Sequence, residues 1–269
     1  MKYGVCFDVA VEQNVKAAAE SGYDYVEVGF QRLARGTAQQ QRQIKENLKE
    51  YRLPALAANG FLPGDLKTNG TEKDNVKLAD YINRGLEFGK PLGLEKVVFG
   101  SGGARSAAPG NTFAQAFRET AEFLGEIASP IFRDYGAYLV IEPLAPAEVD
   151  LVNTVKEAAM LAAASGADNV FVLADIYHMG LSGDAFANIH DIAPLLRHAH
   201  ISYPTRYEDF TRIFMRDFSE YNYLGFLAAV RAAGCETCSV EASIIDIAVD
   251  APAALKVLKR AEAVLDLID

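Results

Sequence analysis

Short apolar runs of strand length recur along the whole chain, and after each comes a longer stretch whose apolar positions return at helical spacing. The alternation is the βαβα pattern of a parallel sheet flanked by helices. It predicts strands at about residues 3–7 (YGVCF), 25–28 (YVEV), 54–58 (PALAA), 96–99 (KVVF), 137–141 (AYLVI), 170–174 (VFVLA), 196–201 (LRHAHI) and 237–240 (TCSV).

Eight such strands in 269 residues match an α/β (β/α)₈ TIM barrel, which typically needs about 250 residues. Between the strands, Thr37 with Gln40, Thr112 with Gln115, and Thr154 with Glu157 each fit the capping box, in which two side chains satisfy orphan backbone N–H groups. Gly22, Gly89, Gly166 and Gly234 stand near the ends of helical segments, where a left-handed residue is wanted. From Asp250, with Pro252 near its start, the spacing of Leu255, Leu258, Ala261, Leu265 and Ile268 predicts a closing helix. No linker divides the chain, so residues 1–269 read as a single TIM-barrel domain. The stretches 59–75 and 202–221 are long for barrel connections and are expected to hold extra turns or short helices beside a substrate pocket.

Half of the residues are hydrophobic, 23% are charged and the mean hydropathy is +0.03, the balance of a soluble globular protein with a sizeable core. The net charge of -10 repels phosphate backbones and anionic lipid surfaces, so neither nucleic acid nor membrane is an expected partner. Three cysteines, Cys6, Cys235 and Cys238, form no disulfide framework and point to a reducing compartment, the cytoplasm. Asp8 interrupts the N-terminal apolar run well short of a signal-peptide core. Subunit number is left open, a homo-oligomer included.

Active sites of TIM barrels gather at the C-terminal ends of the strands. There the fifth strand ends Ile141-Glu142, the sixth Ala174-Asp175, the seventh carries His198-Ala199-His200, and the eighth ends Val240-Glu241. Four consecutive strands thus bring a metal-competent side chain to one rim. Three carboxylates and an imidazole suit a hard or borderline divalent cation, Mn²⁺ ahead of Mg²⁺, Co²⁺ or Zn²⁺, with coordination left over for substrate oxygens. Acidic residues at strand ends also cap helices or pair with Arg and Lys, and it is their succession on neighbouring strands that favours a site. Glu27, ending the second strand, points to the same rim as a candidate contact for a substrate hydroxyl; its alternative is an ion pair with Arg32 or Arg35.

The stretch from Glu142 to Glu241 resembles the sugar phosphate isomerase/epimerase superfamily, the xylose isomerase-like TIM barrels, and within it the ketose 3-epimerases of the tagatose/psicose type. The likeness is carried by Ile141-Glu142-Pro143-Leu144, Asn153-Thr154-Val155, Leu173-Ala174-Asp175-Ile176-Tyr177-His178-Met179, His198-Ala199-His200-Ile201-Ser202 and Ser239-Val240-Glu241. The N-terminal half agrees only in its rhythm of strands and helices. The resemblance implies one divalent metal on Glu142, Asp175, His200 and Glu241. It further implies sugar contacts near the carbonyl from Glu148, His178 and Arg206, which follow Glu142, Asp175 and His200 at the family's spacings.

That set suits proton abstraction beside a carbonyl through a metal-stabilised enediolate. Glu142 and Glu241, on opposite faces of the sugar, would be the catalytic pair, one removing the proton and the other returning it. Arg206 and His178 would hold the carbonyl and C1 hydroxyl region; a surface arginine and a packed histidine are the plainer alternatives. The chain departs from many relatives in Ala145-Pro146-Ala147 and in Tyr207-Glu208-Asp209-Phe210. The substrate is therefore a small sugar or polyol of unspecified identity.

Three rivals share the architecture. A dehydratase or lyase on a cyclic polyol, of the inosose or dehydroshikimate type, begins with the same proton abstraction. An endonuclease IV-like phosphodiesterase resembles a three-zinc site that needs further histidines, whereas the third and fourth strands here end at Asn59 and Ser101 and the chain holds four histidines in all. A barrel that only binds sugar would not need paired bases. Elsewhere, Gly100-Ser101-Gly102-Gly103-Ala104-Arg105 lacks the spacing of a phosphate-binding loop and reads as a βα connection, and Cys235 with Cys238 has no second pair to make a zinc site.

Overall fold

Strands form at β1 (Lys2–Cys6), β2 (Tyr25–Gly29), β3 (Ala57–Asn59), β4 (Lys96–Phe99), β5 (Tyr138–Ile141), β6 (Val170–Asp175), β7 (Leu196–Ile201), β8 (Tyr203–Arg206), β9 (Thr211–Ile213) and β10 (Thr237–Val240). The computed structural model describes residues 1–206 and 211–268, with the side chains of all of these except Thr205 and Arg206. β1 to β7 and β10 close into a parallel barrel in the order β1-β10-β7-β6-β5-β4-β3-β2, while β8 and β9 form a separate antiparallel pair. The eight barrel strands are those the sequence predicts. β3 is displaced furthest, beginning at Ala57 instead of 54, and β1 is shifted back by one residue.

All three capping boxes form as read. Gly22, Gly166 and Gly234 take the left-handed conformation, but Gly89 does not: it stays helical, and the chain runs on through a 3₁₀ turn to Gly93, whose φ is 93°. The closing helix spans Ile247–Leu265 and is capped by Asp246, so Pro252 lies inside it. Asp250 instead turns back to accept the N–H groups of Ile245 and Asp246 and pairs with Arg216 at 2.9 Å. Within 202–221 the expected extra turn is present where the Glu220 N–H donates to the Asp217 carbonyl, and the antiparallel pair β8–β9 is added to it.

Strand side chains alternate between two surroundings. Those facing outward join the main apolar core under the helices; Val98, Val140 and Leu173 form a separate cluster inside the barrel, packed by Tyr138 and Phe171. Gly4 leaves room for Tyr25, since any Cβ there would overlap its ring. Towards the C-terminal ends of the strands the inward layer turns polar, with Glu27, His198, His200 and Asp175 at 2% exposure or less. Among the described residues, no helix is long and apolar enough to cross a membrane.

Candidate metal and substrate site

Strand register puts the acidic and imidazole groups in one layer. Asp175 pairs with His200 between β6 and β7, and Ser239 pairs with His200 between β10 and β7, which sets Glu241 just above it. Glu142 follows Ile141, the partner of Phe99 and Val172. As a result Glu142, Asp175, His200 and Glu241 each offer one ligand atom, and all four atoms lie within 4.8 Å of one another. His200 Nδ1 is 3.2 Å from Glu142 Oε1, 3.1 Å from Glu241 Oε2 and 3.9 Å from Asp175 Oδ2. Asp175 also caps the helix Ile176–Ser182, Oδ1 accepting the Tyr177 N–H at 2.8 Å while Oδ2 faces the cluster.

Glu27 lies beneath this layer. It is fully buried, with Oε1 held by His200 Nε2 at 3.0 Å and Oε2 by His198 Nε2 at 2.9 Å. The substrate contact read from the sequence is corrected: both oxygens are taken by imidazoles, and Glu27 braces the histidine instead of facing a sugar. Its alternative ion pairs do not form either, since Arg32 pairs with Asp8 and Arg35 with Asp65. A carboxylate behind a ligating histidine fixes the ring and the nitrogen it presents.

Burial and mutual charge set the protonation. Burial works against charge on Glu27, but the two histidines hold its carboxyl well below the usual range. Burial likewise opposes charge on His200, yet Glu27 and Glu241 hold its pKa well above that of free imidazole. Asp175 is pushed up to about 7 by burial, with Glu142 adding to the rise and Arg212 opposing it. Glu241 would also rise on burial, but Arg212 and His200 keep it strongly acidic.

Arg212 was not foreseen. From β9 its Nη1 reaches 3.0 Å from Asp175 Oδ2 and 3.0 Å from Glu241 Oε2, with the guanidinium 5.1 Å from the centre of the Tyr177 ring. Asn59, ending β3, donates Nδ2 to Glu241 Oε1 at 2.9 Å. Its strand-end position was visible in the sequence, whereas Arg212 depends on a hairpin the sequence does not announce. Both line a cavity of about 470 Å³ that reaches the cluster at Glu241, together with Asp8, Arg32 and Ser243.

His178 is buried beside Asp175, its Nε2 3.9 Å from Asp175 Oδ2. Its Nδ1 accepts the backbone N–H of Ala145 at 3.2 Å, so the proton sits on Nε2. Burial pushes its pKa down to about 4, which keeps the ring neutral. Glu148, exposed, comes within 3.6 Å of His178 Nδ1. Arg206 closes β8, and its side chain lies outside the described residues.

The glycine-rich segment after β4 serves the site from outside. Arg105 is fully buried and donates to the carbonyls of Phe99, Leu151 and Val152, so it ties loops together inside the protein instead of offering a surface counter-charge to a phosphate. Gly100 packs against Glu142, whose Oε2 a Cβ would overlap. Cys6 also approaches Glu27 and His200. Burial pushes that thiol up, and both Glu27 oxygens accept from imidazoles.

The cluster fits a divalent cation. Its donors are hard oxygens and one imidazole nitrogen. Glu241 Oε2 is buried and has positive neighbours at 3.0 and 3.1 Å, but no donor aligned for a hydrogen bond. An oxygen so placed is suited to a spherical charge.

The profile of the xylose isomerase-like TIM barrel family matches residues 15–261. No curated protein sequence matches the chain. Among solved structures, the chain is similar to the 3-keto-D-glucoside 4-epimerase YcjR from E. coli at 20% identity and a TM-score of 0.75, covering 98% of this chain and 99% of the other. It is similar to the D-allulose 3-epimerase from Methylomonas sp. in complex with D-allulose at 18% identity and a TM-score of 0.80, covering 97% of both. The zinc-bound IolI protein is similar at 16% identity and a TM-score of 0.72, covering 98% and 97%.

Proposed function

We propose, given that the chain belongs to the xylose isomerase-like TIM barrel family, that it is a divalent-metal-dependent sugar isomerase or epimerase, and specifically a ketose 3-epimerase. One observation carries the reading: Glu142, Asp175, His200 and Glu241 offer ligand atoms within 4.8 Å of one another, and Glu241 also lines a cavity. The 3-epimerase and 4-epimerase names among proteins of the same fold are consistent with it.

A bound cation would supply Lewis-acid polarisation of the substrate carbonyl, which acidifies the neighbouring C–H. The chain provides the rest. Glu142 reaches in after β5 and Glu241 after β10, with β6 and β7 between them, so they approach a bound sugar from different directions. One carboxylate takes the proton and the other returns it from the far side, inverting that carbon; substrate configuration decides which acts first. Glu241 is held ionised by Arg212 and His200. His178, neutral with its proton on Nε2, is a fixed donor to a carbonyl-side oxygen. Glu148 and Arg206 complete the sugar contacts in this reading.

The test is product identity. The protein loaded with Mn²⁺ is incubated with ketoses and with cyclic polyols, and products are separated by chirality and mass. An epimer of equal mass supports the reading. A product lighter by one water, absorbing as an enone, assigns the dehydratase reaction instead.

A further inference from the structure

At the N-terminal end of the barrel, away from the cluster, the inward layer is polar again. β4 opens with Lys96, β5 with Tyr138 and β10 with Thr237, and Lys96 shares the inward face of β4 with Val98, two residues on. Bulky branched residues ordinarily fill a TIM-barrel interior. A further cation arrives by a shift of register: Val172 pairs with Leu196 but Leu173 with His198, so Arg197 is the extra residue of a β-bulge between β6 and β7. A bulge re-aims the side chain it carries, and the Arg197 guanidinium lies 4.6 Å from the centre of the Phe171 ring. Lys96, Tyr138, Arg197 and Thr237 line one cavity of about 430 Å³, within the size range of small-ligand pockets.

The cations of this cavity have donors to spare. Lys96 is 3% exposed, yet among the described residues its ammonium has a single hydrogen-bond acceptor, Thr237 Oγ1 at 2.9 Å, with the centre of the Tyr138 ring 5.5 Å away. An ammonium carries three N–H groups, so two are left without an acceptor. Arg197 donates Nη1 to the Leu196 carbonyl at 2.9 Å, and neither cation forms an ion pair among the described residues. Lys2, Glu95 and Glu236 also line the cavity, but all three are exposed to solvent, which screens them. A buried ammonium paired with no carboxylate is costly, and burial pushes the Lys96 pKa down against the pull of Glu95. An oxyanion would relieve that cost by accepting the spare N–H groups of both side chains.

We propose that this cavity binds a small oxyanion, a phosphate or a carboxylate group, on Lys96 Nζ and the Arg197 guanidinium. The ammonium supplies a point charge and the guanidinium a planar fork, the two forms of donor that such oxygens accept from. The site is separate from the cluster and rests on neither the metal nor the reaction proposed above.

The test titrates the full chain calorimetrically with inorganic phosphate and, separately, with acetate, in a low-salt buffer free of other oxyanions and of added metal. Saturable one-to-one binding with a Kd of about 1 mM or tighter is expected, weakening about tenfold or more in Lys96→Met and in Arg197→Gln as charge-assisted hydrogen bonds are lost. Tighter binding of phosphate assigns the site to a phosphate group, and tighter binding of acetate to a carboxylate. Arg32 and Arg212 offer an anion other contacts at the far end of the barrel, so the variants carry the assignment. Binding retained in either folded variant overturns the site, as does the absence of saturable binding by both probes. Should Lys96→Met not fold, Arg197→Gln decides, since that side chain is only partly buried.

Discussion

Arg212 and Glu241 meet at 3.0 Å, Nη1 against Oε2, and the same nitrogen stands 3.0 Å from Asp175 Oδ2. The guanidinium therefore neutralises two of the oxygens that a divalent cation would claim. Charges of +2 and +1 about 5 Å apart repel by roughly 7 kcal/mol at an effective dielectric of ~20, an upper limit. Arg212→Gln is expected to tighten Mn²⁺ binding about tenfold or more in calorimetric titration. Unchanged or weaker binding would mean that arginine and ion do not compete.

Gly100 touches Glu142 where no Cβ fits. The obstructed atom is the end of a flexible side chain, so Gly100→Ala should fold with nearly unchanged melting while Glu142 is pushed aside. A displacement of about 1 Å in a catalytic carboxylate costs on the order of 10²-fold in kcat. Turnover and melting measured together check this: a full loss of folding, or full activity, contradicts it.

The neutral state of His178 makes a prediction about acid. Its folded pKa is about 4, lowered chiefly by burial, against about 6.5 unfolded. Between those values the unfolded chain binds a proton that the folded chain refuses, so this residue removes stability as pH falls from about 6.5 to 4, by up to ~3 kcal/mol, and is without effect above that window. His178→Gln should lessen the wild type's loss over that interval by a similar amount. Denaturant unfolding of both proteins at pH 7 and pH 4.5 measures the difference; parallel losses would contradict the assignment.

The barrel was legible because its signals are local. Capping boxes at Thr37, Thr112 and Thr154 lie within four residues each, and the apolar runs mark strands without reference to anything distant. The four-residue cluster was legible because a parallel barrel places every strand end on one rim. Depth within the barrel was not. Glu27 and His200 are 173 residues apart and sit on non-adjacent strands, so only closure and stagger of the sheet reveal that one lies under the other. Arg212 was hidden for a related reason: Pro204 weakens the strand signal of β8, and without the hairpin nothing aims a side chain at position 212 into the cavity. The closing helix began earlier than read because Asp246 caps it, leaving Asp250 to a turn.

The enolising role of the cluster is tested most directly by solvent exchange. The Mn²⁺-loaded protein is incubated in D₂O with a panel of ketoses, and deuterium is sought at the carbon beside the carbonyl. Incorporation by the wild type, falling by about 10² or more in Glu142→Gln and Glu241→Gln, is the predicted result. No incorporation from any ketose by a protein shown to hold its metal, or exchange undiminished in both variants, would contradict it.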